Sequence, residues 1–358
     1  ESFPKITSDE LEKMSEMNYP ERAAFVLSKY LDDLGEEFIL DACKKAYATF
    51  EGDDPVPLVR VNEGLYMLEL YHGPTCAFQD VAITLLPHLL KRSLEILGSK
   101  DDVLILTATS GDAGKAALES PLHLQAHGLG GELGKLGGPD GVDLPLHGVL
   151  QSRQHLADLS GVNVSAIKGT FDDCQRAVKS LFTDPAFNEE LKKSGVTLST
   201  ANSINIGRLL PQIAYYFSAY LDLVTSDQIE MGDEIDFAVS AGNFGGVLAG
   251  WYAKKMGLPV RRLICASNRN RVLADFFKTG SYNVKRNLFR TMSPSMDILA
   301  SSNVERLLFE VSGRKADMIA GRMKNLAENG EYSITQTELK AINADIYGGF
   351  ASEDDTVE

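Results

Sequence analysis

The sequence predicts an α/β protein in which helices cover parallel β-sheets, with a layer of helices at the N-terminal end. From residue 60 onward, short apolar runs alternate with helical patterns, and two of these runs lead through a glycine-containing turn into a helix. Strands that are followed by helices form parallel sheets covered on both faces. The length of 358 residues is enough for two packed lobes, each with its own core.

The first fifty residues are predicted to be helical. Thr7 and Glu10 have the spacing of a capping box ahead of the first helix, and a second helical pattern runs from about residue 36 to residue 50. No glycine-rich turn interrupts these patterns. We therefore expect residues 1–60 to form an accessory helical segment.

The rest of the chain is predicted to alternate between strands and helices. The clearest helical pattern places an apolar face on residues 80–97, at Ala82, Leu85, Leu86, Leu89 and Leu94. The predicted strands are residues 66–71, 103–109, 235–240 and 260–266. The other predicted helices begin near residue 114, cover residues 245–255, and make up most of the chain after about residue 303.

Composition and charge exclude several classes of protein. The net charge of −15, with no long Lys/Arg run, gives no surface for a nucleic acid. No apolar run has the length of a membrane-spanning helix, and the N-terminus lacks the pattern of a secretory signal. Four well-separated cysteines favour neither disulfides nor a zinc site, so we expect a cytoplasmic protein. Because the sequence does not begin with Met, we expect that the chain is trimmed.

Residues 120–160 do not fit the predicted alternation. They are rich in Leu, Gly and His, and they lack the Ile, Phe, Tyr and Thr that a buried strand favours. The segment is a loop, a local divergence or a sequence error, and the pattern leaves these three open. His123 and His127 have the spacing of a helical metal pair, but Gly and Pro surround them and no carboxylate completes the set. We therefore predict no metal site.

Two predicted turns, Thr109–Gly114 and Ser240–Gly246, place small residues between a strand and the start of a helix. Free backbone N–H groups and the helix dipole favour an anion at such a position. Two such turns suggest two anionic groups, although ordinary βα turns have similar composition. Neither turn matches the dinucleotide fingerprint or the P-loop, so generic nucleotide binding gains little support.

Five segments, in order along the chain, resemble the signatures of the threonine synthase family. Glu69–Asp80 resembles E-L-[FWY]-H-G-P-T-x-A-F-K-D, and Leu106–Gly114 resembles a segment containing A-T-S-G-D-T-G. Ser199–Arg208 contains the family's N-S-I-N, and Ser240–Gly246 is similar to its S-G-N-F-G loop. Ser293–Ile298 is also similar to the family. Five matches in family order are a much stronger signal than any one of them.

The resemblance implies the fold of the tryptophan synthase β-subunit type, which is fold type II of the pyridoxal 5′-phosphate (PLP) enzymes. It implies a large PLP-binding domain from residues 61–100 and 195–358, and a small domain from residues 101–194. The implied reaction converts the small-molecule substrate O-phosphohomoserine and water into threonine and phosphate, with PLP as the electron sink. We expect a monomer or homodimer.

Site residues follow from the resemblance, position by position. The expected cofactor-phosphate cradle consists of Gly242, Asn243, Phe244, Gly245 and Gly246. The expected substrate contacts are Thr75, Thr109, Ser110, Gly111, Asp112, Asn202 and Ser203. Structural alternatives remain for some of these neighbours, because Asn202 and Asp80 have the chemistry of helix caps and Phe78 that of a core residue.

The principal departure from the family is Gln79, at the position of the Schiff-base lysine. A carboxamide is neither nucleophilic nor basic near neutral pH, so we expect the chain as written to be inactive. Gln79 is an engineered change or sequence error, or it is natural in a homologue that binds ligand without catalysis. Substitution by another lysine, such as Lys115, is the weakest explanation. A serine/threonine dehydratase-like lyase is a further alternative, which the H-G-P-T segment disfavours.

A second departure lies near the end of the chain. The family usually contacts the pyridine nitrogen through a Ser or Thr of a late S-T-A-x-P-x-K-F-like segment, and no such segment precedes Glu358. The resemblance therefore predicts either a piece of a longer protein or a site that lacks this contact.

Overall fold

The computed structural model describes residues 3–109, 116–117 and 169–357. Contacts are densest within two compact units, Glu16–Tyr215 and Glu1–Ser15 together with Tyr216–Glu358. The predicted segment boundaries at residues 60, 100 and 195 stay a prediction. The 120–160 stretch, its histidines and Lys115 lie outside the described residues.

The unit Glu16–Tyr215 contains helices, one β-hairpin and a pair of parallel strands. The strands are β1 (Leu58–Asn62), β2 (Leu65–Leu68), β3 (Asp102–Ile105) and β4 (Val196–Ser199). The helices are α2 (Tyr19–Ser28), α3 (Glu36–Tyr47), α4 (Asp80–Ile83), α5 (Leu86–Ile96), α6 (Phe171–Thr183), α7 (Pro185–Lys193) and the first half of α8 (Ile206–Thr225), with a 3-10 turn at Asp32–Leu34.

The second unit contains a three-stranded parallel sheet with helices. Its strands are β5 (Ile235–Ser240), β6 (Val260–Ser267), β7 (Ser281–Asn283), β8 (Glu331–Ser333) and β9 (Ile346–Phe350). Its helices are α1 (Ser8–Ser15), the second half of α8, α9 (Gly245–Met256), α10 (Val272–Thr279), α11 (Val304–Val311), α12 (Ala316–Asn329), α13 (Gln336–Asn343) and α14 (Glu353–Val357), with a 3-10 turn at Pro294–Met296.

Parallel pairing is confirmed in both units. Strand β3 pairs with β4, and β6 lies between β5 and β9, all in parallel. The carboxyl ends of β3 and β5 lead into the two glycine-containing turns of the sequence analysis. The pair β1–β2 is an antiparallel hairpin, and β7 pairs antiparallel with β8, which follows it only after two helices. Thr109 and the turn Ser240–Gly246 therefore follow the carboxyl ends of parallel strands, the edge at which α/β proteins bind ligands.

Local signals in the sequence explain where several helices begin. The predicted capping box is present, because Glu10 accepts a hydrogen bond from the Thr7 N–H at 2.8 Å and donates its own N–H to the Thr7 hydroxyl at 3.3 Å. Reciprocal boxes also start α2, α6 and α13. Each box satisfies N–H groups that a helix leaves unpaired in its first turn.

The predicted helix over residues 80–97 is instead two helices, α4 and α5, separated by a turn at Thr84–Leu85. Pro87 is the second residue of α5. Proline has no N–H and its ring clashes with the preceding turn in a helix interior, whereas the first turn of a helix accommodates it, so Pro87 favours a new helix start here. The apolar face was correctly placed, since Ala82, Leu85, Leu86 and Leu89 are all buried.

None of the described helices has the combination of length and apolar composition needed to cross a bilayer.

Candidate active site

The segment before position 79 is fixed by Asp80. The Asp80 carboxylate is buried and accepts hydrogen bonds from both the N–H and the hydroxyl of Thr75, each at 2.8 Å. Gly73 lies so close that a Cβ atom there would meet the Asp80 side chain at 2.5 Å. The carboxylate therefore binds the preceding turn, and the alternative role of Asp80 as a cap for the helix that follows is wrong.

Gln79 occupies a buried position with an unsatisfied oxygen. Its side chain is 8% exposed, and Oε1 has no hydrogen-bond partner among the described residues. Its backbone oxygen accepts from the N–H groups of Ala82 and Ile83, so the residue opens α4. A buried amide oxygen without a donor is unfavourable by about 1–3 kcal/mol. Phe78 is 42% exposed, so its alternative reading as a core residue is wrong.

Asn202 ties the N-S-I-N segment to the end of β3. Its Oδ1 accepts the Ala108 N–H at 2.8 Å, and its Nδ2 donates to the Ala108 carbonyl at 2.5 Å. Asn205, rather than Asn202, binds the first turn of α8, through the Gly207 N–H at 2.9 Å. The capping role considered for Asn202 is therefore wrong, and its amide holds the strand end just before Thr109.

The remaining predicted substrate contacts are placed less completely. Thr109 is buried at the end of the described part of this turn, and Ser203 follows Asn202 on the N-S-I-N segment. Ser110, Gly111 and Asp112 lie outside the described residues. The structure thus brings the N-S-I-N segment to the start of the turn. The ligand contacts expected of Thr109, Ser110, Gly111, Asp112 and Ser203 stay predictions.

Arg208 is a buried cation that the sequence analysis did not single out. It is 3% exposed, and its guanidinium donates to the Ala201 carbonyl. Burial lowers the pKa of Arg208 to about 10, while the nearby Asp80 charge acts in the opposite direction. The available signal was an arginine among the apolar residues that begin α8. Since Gly207 also packs against Leu86, this helix lies close to the elements that follow Gln79.

The second predicted turn, Ser240–Gly246, joins β5 to α9 in the other unit. Among the described residues, the N–H groups of Gly242–Gly246 donate to no protein acceptor. These five consecutive donors precede or begin a twelve-residue helix, whose dipole is positive at this end. Backbone N–H groups in this arrangement bind phosphate in many proteins.

Phe244 and Gly242 fix the shape of this turn. Phe244 has a left-handed backbone with φ of 65°, which is unusual for a bulky residue and is held here by a ring that is 1% exposed. A Cβ atom on Gly242 would meet Ile298 Cδ1 and the Ser295 carbonyl at 3.0 Å and the Met296 Cα at 3.2 Å. The turn therefore packs closely against the predicted Ser293–Ile298 family segment.

Asp297 fixes that packing segment. Its Oδ1 accepts from Asn268 at 2.8 Å, Asn270 at 3.0 Å and the Thr291 hydroxyl at 2.8 Å, and its Oδ2 accepts the Thr291 N–H at 2.9 Å. Four donors on one carboxylate make the segment that covers Gly242 a rigid neighbour.

A phosphate fits the donors of the Gly242–Gly246 turn, and a covalently attached aldehyde does not fit Gln79. The free N–H groups at the start of α9 match the oxygens of a phosphate monoester, with Gly at the points of close approach. Gln79 offers an amide where attachment requires an amine. In the described part of the chain, no cluster of His, Cys, Asp or Glu has metal-site geometry.

Comparisons with known proteins identify the relatives of the chain. No protein-family model matches it. Threonine synthase-like 1 of Macaca fascicularis is 36% identical over 358 residues, which cover 98% of the chain and 47% of that relative. Threonine synthase of Pseudomonas aeruginosa is 36% identical over 342 residues, which cover 93% of the chain and 67% of that relative. The chain thus spans about half the length of the threonine synthase-like 1 proteins it matches.

Solved structures confirm the predicted fold class. A PLP-bound threonine synthase from Brucella melitensis is 35% identical with a TM-score of 0.80, and the match covers 99% of this chain and 72% of that one. Threonine synthase from yeast is 29% identical with a TM-score of 0.79, covering 99% of this chain and 70% of that one. These relatives agree with the five ordered segments and with the turn at the start of α9. The chain belongs to the threonine synthase family.

Proposed function

We propose that this site is the PLP site of a threonine synthase-type lyase, and that Gln79 leaves the chain able to bind PLP reversibly but unable to catalyse. The single observation that carries the proposal is the row of free N–H groups at Gly242–Gly246, on the segment that matches the family's phosphate loop. The second part of the proposal, the loss of catalysis, rests on Gln79, whose side chain is buried and which matches the lysine position of the family in sequence.

The residues of the chain have distinct roles in the proposed site. The Gly242–Gly246 N–H groups hold the phosphate of the cofactor, and the helix dipole of α9 strengthens that contact. Asn202 fixes the Ala108 backbone after β3, and in the proposed site Thr109, next in the chain, contacts the substrate. When bound, PLP supplies an electron sink for carbanions of an amino-acid substrate.

Position 79 decides between binding and catalysis. A lysine there would offer a nucleophilic amine that also carries protons to and from the substrate. The amide of Gln79 does neither, so O-phosphohomoserine is the substrate of a lysine-bearing form and no more than a ligand of this chain. The second candidate function is a non-catalytic ligand-binding homologue, in which a lysine at position 79 would not restore activity. Gln79 favours this candidate as well.

The test is Gln79→Lys, with Gln79→Met as a control of similar length that has neither amine nor amide. Each protein is incubated with PLP, reduced with borohydride and analysed by peptide mass spectrometry. We expect the mass of the reduced cofactor at position 79 in Gln79→Lys alone, together with release of phosphate from O-phosphohomoserine by that variant.

Two results would contradict the proposal. Phosphate release by the unmodified chain would show that Gln79 does not abolish catalysis. A Gln79→Lys protein that folds but acquires no cofactor at position 79 would show that this position does not face the aldehyde. Inactivity of Gln79→Lys with the cofactor attached would instead favour the non-catalytic homologue.

A further inference from the structure

Two side chains outside the five family segments hold the first two carbonyl groups of the Gly242–Gly246 turn, those of Gly242 and Asn243. The Ser301 hydroxyl donates a hydrogen bond to the Gly242 carbonyl. The Asn303 amide donates from Nδ2 to the Asn243 carbonyl at 3.1 Å, and the Asn303 N–H donates to the same oxygen at 3.3 Å. The Gly242 and Asn243 carbonyls therefore each have a donor from the segment at residues 301–303.

The planarity of the peptide bond transfers this constraint to the N–H groups. In a trans peptide the carbonyl oxygen of one residue and the N–H of the next lie in one plane and point in opposite directions. Ser301 therefore sets the direction of the Asn243 N–H, and Asn303 sets the direction of the Phe244 N–H. These N–H groups donate to no acceptor in the described part of the chain, so they remain free for an anion.

The orientation of Asn303 is determined by a third group. The Arg306 guanidinium donates to Asn303 Oδ1. Because a guanidinium has donors and no acceptors, this contact assigns oxygen to that end of the amide and leaves Nδ2 to face Asn243. Asn303 is 0% exposed, so its amide has no solvent-facing alternative.

Ser301 is also held in place from behind. Its N–H donates to the Tyr282 hydroxyl at 2.7 Å, and that hydroxyl donates to the Leu299 carbonyl at 3.0 Å. Tyr282 is 1% exposed and stacks on Tyr332 with ring centroids 5.1 Å apart. The Ser301 backbone is thus fixed by a core tyrosine, and its hydroxyl is directed by the Gly242 carbonyl.

We propose that Ser301 and Asn303 are positioning residues for phosphate binding, because they hold the turn with the Asn243 and Phe244 N–H groups directed at the ligand. The inference rests on the proposed function, and it adds two residues that touch neither cofactor nor substrate. Loss of either donor lets a peptide plane of the turn rotate. Ligand binding must then reorder the turn, and the free energy of reordering lowers the affinity.

The test compares ligands that differ only in the phosphate. Pyridoxine 5′-phosphate and pyridoxine are titrated by calorimetry into the unmodified chain, Ser301→Ala, Ser301→Thr and Asn303→Asp; neither ligand has an aldehyde, so lysines do not interfere. We expect Ser301→Ala to bind pyridoxine 5′-phosphate about fivefold more weakly, the effect of one hydrogen bond. Ser301→Thr, which keeps the hydroxyl, restores the affinity.

Asn303→Asp tests the second donor. The substitution keeps the acceptor for Arg306 and replaces the donor that faces Asn243 by an anion. We expect at least a tenfold loss of affinity for pyridoxine 5′-phosphate. The new carboxylate repels the Asn243 carbonyl oxygen, and interactions that involve a charged group are stronger than those between neutral groups. The ³¹P chemical shift of the bound ligand should move in Ser301→Ala and Asn303→Asp, and affinity for pyridoxine should stay unchanged.

The matched control is Ser312→Ala. The Ser312 hydroxyl also donates to a backbone carbonyl, that of Phe309 at 2.8 Å, but it lies at the far end of α11. Equal losses for pyridoxine 5′-phosphate and pyridoxine in Ser301→Ala would overturn the inference in favour of a general structural role, as would unchanged affinities in both variants. If the unmodified chain shows no preference for the phosphorylated ligand, the proposed function itself fails.

Discussion

Replacing Gly242 by alanine is a direct test of how the phosphate-binding turn is built. The added Cβ would lie 3.0 Å from both the Ser295 carbonyl and Ile298 Cδ1, and 3.2 Å from Met296 Cα. Carbon atoms prefer separations of about 3.5–4.0 Å, so the turn or its neighbour must move by a few tenths of an ångström. Two of the three neighbours are backbone atoms of the segment that Asp297 fixes, so we expect the turn to move.

The size of the effect follows from the cost of overpacking. Adding a methyl group to a well-packed position is unfavourable by about 1–3 kcal/mol. If the free turn shifts to relieve the contact and must shift back to bind phosphate, that energy appears as an affinity loss of roughly 5- to 140-fold. If the turn does not shift, the same energy appears as lower stability of the fold.

The assay measures both quantities on the same protein. Calorimetric titration with pyridoxine 5′-phosphate gives the affinity, and urea unfolding gives the free energy of unfolding. Gly321→Ala is the matched control, since Gly321 stands in a helix and a Cβ added there would have no atom within 4 Å. We expect that control to bind normally and to be up to about 1 kcal/mol more stable. A Gly242→Ala protein with parental affinity and parental stability would refute the close packing on which this reasoning depends.

Two further predictions concern the unit that contains this turn. Gly250→Ala should destabilise the protein by about 1–3 kcal/mol in urea unfolding, because the new Cβ would lie 2.8 Å from both Leu263 and Tyr216. This loss should exceed the better helix propensity of alanine, and a gain in stability would contradict the prediction. Glu338→Gln should cost about 3 kcal/mol at neutral pH, because Glu338 binds Arg322 through two hydrogen bonds of 2.8 and 2.7 Å. Arg322 holds the pKa of Glu338 at about 2, below its ordinary 4.5, so this stabilisation is complete above about pH 4.5 and disappears as the pH falls towards 2. The free energy of unfolding, measured at pH 7 and at pH 3, should therefore differ less between Glu338→Gln and the parent at pH 3 than at pH 7. An equal difference at the two pH values would contradict the role given to Arg322.

Much of the architecture could be predicted because its signals are local. The capping spacing of Thr7 and Glu10, the run Ile235–Ser240 and the glycines after it each specify structure through neighbours a few residues away. The continuous helix over residues 80–97 was wrong because the prediction followed the apolar periodicity and gave no weight to Pro87, and the strands predicted over residues 66–71 and 103–109 end earlier, at Leu68 and Ile105.

Site roles were harder to predict, because the same side chain has several chemically reasonable partners. Asn202 had the chemistry of a ligand contact and of a helix cap, and the structure gives its amide to the Ala108 backbone, 94 positions away. Asp80 likewise binds the turn before it rather than the helix after it. Local sequence shows what a group can bind, whereas packing determines which partner reaches it.

The sequence by itself determined the strand–turn–helix order, the family and the substitution at Gln79, because these are carried by residue identity and short spacing. Only the tertiary structure decided that Ser301 and Asn303 hold two carbonyls of a turn 59 and 60 positions away, and that the buried Gln79 oxygen meets no donor in the described residues. The physical reason is that hydrogen bonding and burial depend on distance in space, and the packing of sheets, helices and loops brings together groups that no sequence period connects.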